Sequence, residues 1–159
     1  MLWGAVRLNP TKCEEMIAVC ACFNLRKATR VVTQLFDQAL SLSGLRSTQL
    51  PILLTLALTP SASMSSLAEQ MMMDRTTLTR NLMPLERRAL IQIVPGGDRR
   101  IREVRLTEAG RKAAAAATPL WEEAQARVIQ ALGQEQSQGL QRAVTALLSV
   151  QRQAIPNWR

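Results

Sequence analysis

Residues 63 to 105 read SMSSLAEQMMMDRTTLTRNLMPLERRALIQIVPGGDRRIREVR, and this stretch decides the fold. It divides into a short helix from Ser63, a tight turn, a second helix that opens at Arg75, and a basic hairpin. This order is typical of a winged helix-turn-helix. The sequence therefore predicts a protein that binds duplex DNA through the second helix and the hairpin.

The second helix, predicted over residues 75 to 89, separates apolar from polar side chains. Leu78, Leu82 and Leu85 recur at spacings of four and three, so they are expected in the core. Asp74 is the predicted N-cap, and Pro84 is expected to loosen the helix locally. Hydroxyls and an arginine in the first turns suit entry into a major groove. The candidate DNA-binding residues of the two helices are Ser65, Ser66, Arg75, Thr76, Thr77, Thr79, Arg80 and Asn81.

The hairpin is predicted as the wing, with β-rich segments at 90–94 and 101–106 and a turn at Pro95-Gly96-Gly97. Three further candidates, Asp98, Arg99 and Arg100, lie at its tip. A long guanidinium on a hairpin suits the enhanced negative potential of a narrow, A·T-rich minor groove. The alternative is that Arg100 only pairs with Asp98 and stiffens the wing.

Basic residues concentrate in the same region. Residues 75 to 112 hold ten Lys/Arg against four acids, a surplus of six, whereas the net charge of the whole chain is +8. Positive charge gathered in one quarter of a chain indicates a polyanion binder, although a solvated basic surface is the simpler interpretation of a charge run alone.

Composition excludes several other classes of protein. With 159 residues and 47% hydrophobic content, the chain suits one folding unit, residues 1–159, with a real core. It has no His and no Tyr, which removes the commonest general base and metal ligand, so we expect no enzyme, no metal and no cofactor. No apolar run approaches the roughly 20 residues that span a bilayer, and the start resembles no secretion signal. A cytoplasmic protein with no membrane partner is expected.

Long helices are predicted at both ends of the chain. Thr11 and Glu14 form a possible capping box for a first helix over about 11 to 43, which ends at Gly44. A helix follows over about 50 to 58, and two more are expected over 107–132 and 135–153, separated by Gly133. The end helices carry more apolar surface than a small winged helix can cover. The predicted fold is therefore mostly α with a small β wing: a winged helix-turn-helix at 45–110, with helical dimerisation regions at 11–43 and 111–155.

The chain resembles the MarR (multiple antibiotic resistance regulator) family. The resemblance runs from about Cys20 to Arg111, and Asp98-Arg99-Arg100 with Leu106-Thr107-Glu108-Ala109-Gly110 is its most diagnostic part. It implies a homodimeric transcriptional regulator, usually a repressor, that binds a pseudo-palindromic operator. It also implies that Arg100 of the Asp-x-Arg wing enters the minor groove. Ala89 departs from the pattern, because the family commonly has Gly there.

Cys13, Cys20 and Cys22 are odd in number and clustered, so they are expected to be reduced thiols. The segment 22–30 is similar to that of the hydroperoxide-sensing branch of the family, in which a first-helix cysteine is oxidised and DNA is released. That branch uses tyrosines that this chain lacks. On an intact helix Cys20 and Cys22 point about 200° apart, so a disulfide needs an unwound helix or a partner subunit. The sequence leaves two roles open for these cysteines: sensing of oxidants and packing in the core.

The leading interpretation is a sequence-specific repressor that is released from DNA by a small-molecule effector or by thiol oxidation. Two other classes are open. One is an architectural protein that binds nucleic acid without sequence preference, and its affinity would depend steeply on salt. The other is a helical module that binds proteins. The sequence therefore favours specific DNA binding and names neither the operator nor the effector.

Overall fold

A computed structural model describes residues 8–59, 61–98 and 100–154, with side chains to residue 149. The described helices and strands run in the order α1 (Pro10–Val19), α2 (Ala21–Leu40), a 3-10 turn (Ser41–Ser43), α3 (Leu50–Ala57), β1 (Ala62–Ser63), α4 (Met64–Gln70), α5 (Arg75–Arg87), β2 (Ile91–Pro95), β3 (Arg102–Leu106), α6 (Glu108–Leu132) and α7 (Gln134–Ala154). The chain forms two compact units, Met1–Leu35 and Phe36–Arg159. The predicted class, mostly α with a small β wing, is confirmed.

The first unit corrects the prediction of one helix over residues 11 to 43. The helix breaks at Cys20, whose backbone is extended with ψ 104°. The Asn24 side-chain amide donates to the carbonyl oxygens of Ala18 at 2.9 Å and Cys20 at 3.1 Å. An amide that satisfies the last carbonyls of α1 stabilises its end. The apolar periodicity continues across the break, which is why the sequence pattern did not reveal it.

The second unit has an apolar core, rich in leucine, to which every element around the helix-turn-helix contributes. Leu40, Ile52, Leu67 and Leu78 are fully buried, as is Val104 of β3. Met64, Met71 and Met73 pack against this core, whereas Met72 of the same turn is exposed. The unit therefore holds α4 and α5 on a rigid apolar base.

The three strands form one antiparallel sheet in the order β1-β3-β2. In the hairpin Ile91 is opposite Leu106 and Pro95 is opposite Arg102, so the predicted wing is confirmed, with each strand starting one residue later than predicted. The two-residue strand β1 pairs Ala62 with Val104 and was not predicted. It ties the start of α4 to the wing.

Helix starts follow the sequence except at the N-terminal end. Asp74 and Thr107 cap α5 and α6 as predicted. The capping box at Thr11 was wrong, because Asn9 caps α1 by accepting a hydrogen bond from the Lys12 amide. Helix α3 begins at Leu50 with Pro51 in its first turn, where a missing N–H costs little.

The long C-terminal helices agree with the sequence. Helix α6 continues through Pro119 to Leu132, and Gly133 separates it from α7 with φ +79°. Helix α5 also continues through Pro84 to Arg87. None of the described helices is both long and apolar enough to cross a membrane.

Candidate nucleic-acid interface

The helix-turn-helix is fixed by short polar contacts at the helix starts. The Ser63 hydroxyl accepts a hydrogen bond from the Ser66 amide at 3.1 Å and caps α4. Arg75, the first residue of α5, donates from Nη2 to Oγ of Ser65 at 2.8 Å. Ser66 Oγ accepts from the Gln70 side chain at 3.0 Å. Three predicted DNA-binding residues, Ser65, Ser66 and Arg75, are therefore exposed and lie together where the two helices meet.

The recognition helix, α5, presents its polar face to solvent. Thr76, Thr79 and Arg80 are exposed, whereas Leu78, Leu82 and Leu85 are fully buried on the other face. The Arg80 side chain makes no hydrogen bond or ion pair with the described residues. It extends from the first half of the helix, the part that a major groove admits.

Two other predicted residues of the recognition helix are half-buried and satisfy groups of the protein. Asn81 donates from its side-chain amide to the Thr77 carbonyl oxygen at 2.9 Å. The Thr77 hydroxyl donates to the Asp74 carboxylate at 2.6 Å, and the Thr77 amide donates to the other carboxylate oxygen at 2.8 Å. The hydrogen bond from the Thr77 hydroxyl, then that from its amide, lowers the pKa of Asp74 below its ordinary value. These residues support the start of the helix.

The wing tip is closed by hydrogen bonds that do not involve the Arg100 guanidinium. The Asp98 carboxylate accepts from the Arg100 backbone amide at 2.9 Å, and the Gly96 amide donates to the Ile101 carbonyl oxygen at 2.7 Å. The Arg100 guanidinium is exposed and makes no ion pair with the described residues, Asp98 included. Arg99 lies outside the described residues. The Asp98 carboxylate thus shapes the turn that carries Arg100.

The corner between α5 and the wing is tightly built. Ala89 has φ +54°, the left-handed conformation in which Gly is favoured. The Thr107 hydroxyl donates to the Ala89 carbonyl oxygen at 2.7 Å, and its oxygen accepts from the Gly110 amide at 3.0 Å. A Cβ on Gly110 would lie 2.1 Å from the Leu90 carbonyl oxygen, so glycine is required there. The corner therefore fixes the angle between recognition helix and wing.

Arg88 has a role that the sequence did not reveal. Its guanidinium donates to the carbonyl oxygens of Gly44 at 2.5 Å and Ser43 at 3.3 Å. The partners lie more than 40 residues away in sequence, so no local pattern identifies the contact. Arg88 therefore joins Arg75 and Arg105 among the ten basic residues of 75–112 whose side chains are bonded within the protein.

The three redox candidates differ in surroundings. Cys20 and Cys22 are exposed in the single chain, and Cys13 is half-buried; all three are free thiols. Cys20 lies at the helix break, where its Sγ accepts a hydrogen bond from the Phe23 amide at 3.4 Å and so caps α2. The assumption of an intact helix between Cys20 and Cys22 was wrong. In the part of the chain that the structure describes, no cluster of three acidic, Cys or His residues suits a metal ion.

Comparison with known proteins identifies the family. A MarR-family sequence profile matches residues 45–101. The crystal structure of the transcriptional regulator MosR of M. tuberculosis in complex with DNA is 38% identical to the chain, covers 80% of it and 98% of its own chain, and superposes with a TM-score of 0.67. The chain belongs to the MarR family. The prediction of a DNA-binding transcriptional regulator of this family is thereby confirmed.

Two further structures resemble this MarR-family protein. A second MosR structure is 34% identical with a TM-score of 0.73, and it covers 86% of the chain and 98% of its own. The repressor CouR bound to a 23-mer DNA duplex is 23% identical with a TM-score of 0.76, covering 84% and 95%, which shows a common fold. No curated protein sequence matches the chain.

Proposed function

We propose that the protein is a homodimeric repressor that binds a pseudo-palindromic operator and is released by thiol oxidation. The observation that carries the proposal is the exposed polar face of α5, with Thr76, Thr79 and Arg80 opposite three fully buried leucines. A rigid helix suits base recognition in a major groove when an arginine in its first half, here Arg80, makes no ion pair within the described chain. The role requires access to DNA, which agrees with a cytoplasmic location.

The wing is proposed to add a minor-groove contact. Arg100 is exposed on a turn that the Asp98 carboxylate holds closed, so its guanidinium is presented without an internal partner in the described chain. Positive side chains are attracted to narrow A·T-rich grooves. The MosR and CouR structures with DNA show that proteins of this fold bind duplexes, which supports the same partner here.

Dimerisation is supported by apolar side chains at both ends of the chain. Val19 is 81% exposed at the end of α1, and Leu147 and Leu148 are each 49% exposed on α7. Large exposed apolar patches mark interaction surfaces. A second copy that covers these helices would place two recognition helices on successive major grooves.

Oxidative release is supported by the break in the helix. The extended backbone at Cys20 replaces the continuous helix on which Cys20 and Cys22 would point about 200° apart. In the proposed reaction a hydroperoxide converts one thiol to a sulfenic acid and leaves as an alcohol, or as water when it is hydrogen peroxide. A second thiol then displaces water and forms the disulfide. Release by a small ligand that binds the dimer is the alternative.

Competition between duplexes tests the proposal. The protein is bound to a labelled duplex selected from a random pool, and unlabelled copies of that duplex or of a scrambled one are added at fixed salt. A specific regulator requires at least about a thousandfold more scrambled duplex for equal displacement. Equal displacement would indicate the architectural class, and no binding to any duplex would favour the protein-binding module.

A further inference from the structure

The side chain of Arg88 connects two parts of the second unit that are distant in sequence. Arg88 follows the last residue of α5, and its guanidinium reaches the turn between α2 and α3. There Nη1 donates to the Gly44 carbonyl oxygen at 2.5 Å and Nη2 donates to that of Ser43 at 3.3 Å. The forked guanidinium therefore engages two successive carbonyls at the end of the 3-10 turn.

The turn that receives Arg88 is itself well ordered by local bonds. Gly44 has φ +66° and its amide donates to the Ser41 carbonyl oxygen at 3.0 Å. The Ser43 hydroxyl donates to the Leu40 carbonyl oxygen at 2.7 Å. Terminal carbonyls of a helix lack partners and carry partial negative charge, so a cation is stabilised there. The turn is a rigid acceptor for the guanidinium.

Because Gly44 has no side chain, it leaves room for the guanidinium of Arg88. A Cβ on Gly44 would lie 3.3 Å from Nη2 of Arg88, closer than most such contacts. Three other arginines of this region differ, since the side chains of Arg80, Arg87 and Arg100 make no hydrogen bond with the described residues, and Arg75 bonds only to the nearby hydroxyl of Ser65. The guanidinium of Arg88 is thus directed toward backbone carbonyl oxygens of the protein.

We infer that Arg88 is a positioning residue, which holds the C-terminal end of the recognition helix to the α2–α3 turn and does not contact DNA phosphate. The inference rests on the proposed function, because the helix it positions is the one proposed to bind the operator. Operator affinity then depends on Arg88 although the residue releases no counterions from the DNA.

The dependence of affinity on salt separates positioning from phosphate contact. Each phosphate contact contributes about −0.9 to the slope of log affinity against log salt concentration. Arg88→Gln removes both the charge and the two guanidinium donors, whereas Arg88→Lys keeps the charge and loses the paired donors. Arg87→Gln is the matched control, since Arg87 is exposed next to it on the chain.

The positioning role predicts that both Arg88 variants lower operator affinity about tenfold at one salt concentration. They leave the slope unchanged and lower the urea midpoint of unfolding by roughly 0.5 M at equal protein concentration. Arg87→Gln leaves the urea midpoint unchanged. Arg88→Lys is mild enough to fold, and circular dichroism verifies this.

Two results would overturn the inference. One is the result expected of a phosphate contact: Arg88→Lys binds the operator as the parent does, and Arg88→Gln makes the salt-dependence slope shallower by about 0.9, the value of one contact. The other is an unchanged urea midpoint in both Arg88 variants, whatever the DNA result. If instead the parent binds no duplex specifically, the proposed function fails, and the urea midpoint still decides whether Arg88 holds the turn.

Discussion

The Thr107 hydroxyl donates a hydrogen bond to the carbonyl oxygen of Ala89, 2.7 Å away, and so joins the start of α6 to a residue two positions beyond the end of the recognition helix. Ala89 reaches this position only with φ +54°. A left-handed backbone costs an L-residue about 1–2 kcal/mol, whereas glycine adopts it freely. The corner that sets the wing angle is therefore held in a strained conformation.

Replacing Ala89 with glycine is expected to relieve this strain. We predict that Ala89→Gly raises the free energy of unfolding by about 0.5–1 kcal/mol, which is the strain relief minus the greater entropy of glycine in the unfolded chain. Ala116→Gly on the exposed face of α6 is the control and should lower it by about 1 kcal/mol. Urea unfolding measures both. If Ala89→Gly and Ala116→Gly lowered the free energy of unfolding equally, the backbone of Ala89 would not be strained.

The two arginines of the proposed DNA-binding surface should have different effects on specificity. Arg80→Ala is expected to relax base preference within the half-site by about 1–3 kcal/mol if the guanidinium makes a bidentate base contact. Arg100→Ala should weaken binding mainly on operators with A·T-rich flanks. Titration of duplexes that vary in the half-site or in the flanks measures each effect. If both variants discriminated among these duplexes as the parent does, the assignment of helix and wing to their grooves would be wrong.

The cap of the recognition helix should make part of the stability depend on pH. Hydrogen bonds from Thr77 lower the pKa of Asp74 in the folded chain. This stabilisation is therefore fully present above the ordinary pKa of 3.8 and is lost as pH falls through the lower folded value. We predict that Asp74→Ala lowers the urea midpoint at pH 7, and that the difference from the parent shrinks in acid. Asp74→Asn retains a capping oxygen but does not titrate. The difference in urea midpoint between Asp74→Asn and Asp74→Ala should therefore stay the same as pH falls. A parent–Ala difference that stays constant with pH would contradict this assignment.

Mild peroxide is expected to lower operator affinity through the cysteines. The cysteines lie on α1, at the break and on α2, and a disulfide there would shift helices proposed to space the two recognition helices. The measurement is a duplex titration of the parent and of Cys13→Ser/Cys20→Ser/Cys22→Ser before and after oxidation. The parent should lose affinity and regain it with reductant, and the triple variant should not respond. If thiol counting shows oxidation while parent affinity stays equal, the cysteines serve packing and a small ligand is the effector.

Local signals predicted much of the fold and of the candidate site. Ser63, Asp74 and Thr107 cap their helices because a cap acts within three residues of itself. Two features depend on partners far away and carry no local pattern: the pairing of β1 with β3, and the contact of Arg88 with Gly44. The break at Cys20 was missed for another reason. Asn24 stabilises it by side-chain bonds, while the apolar spacing on both sides is that of one helix.

The symmetry of the selected operator tests the central claim most directly. The full chain is incubated with a random duplex pool at fixed salt, the retained fragments are sequenced, and light scattering of the same sample gives the mass of the complex. The account predicts one enriched pseudo-palindrome, with half-sites about 10 bp apart, bound by two copies of the chain. A pool that shows no enrichment, or a complex with one copy on an asymmetric site, would contradict it.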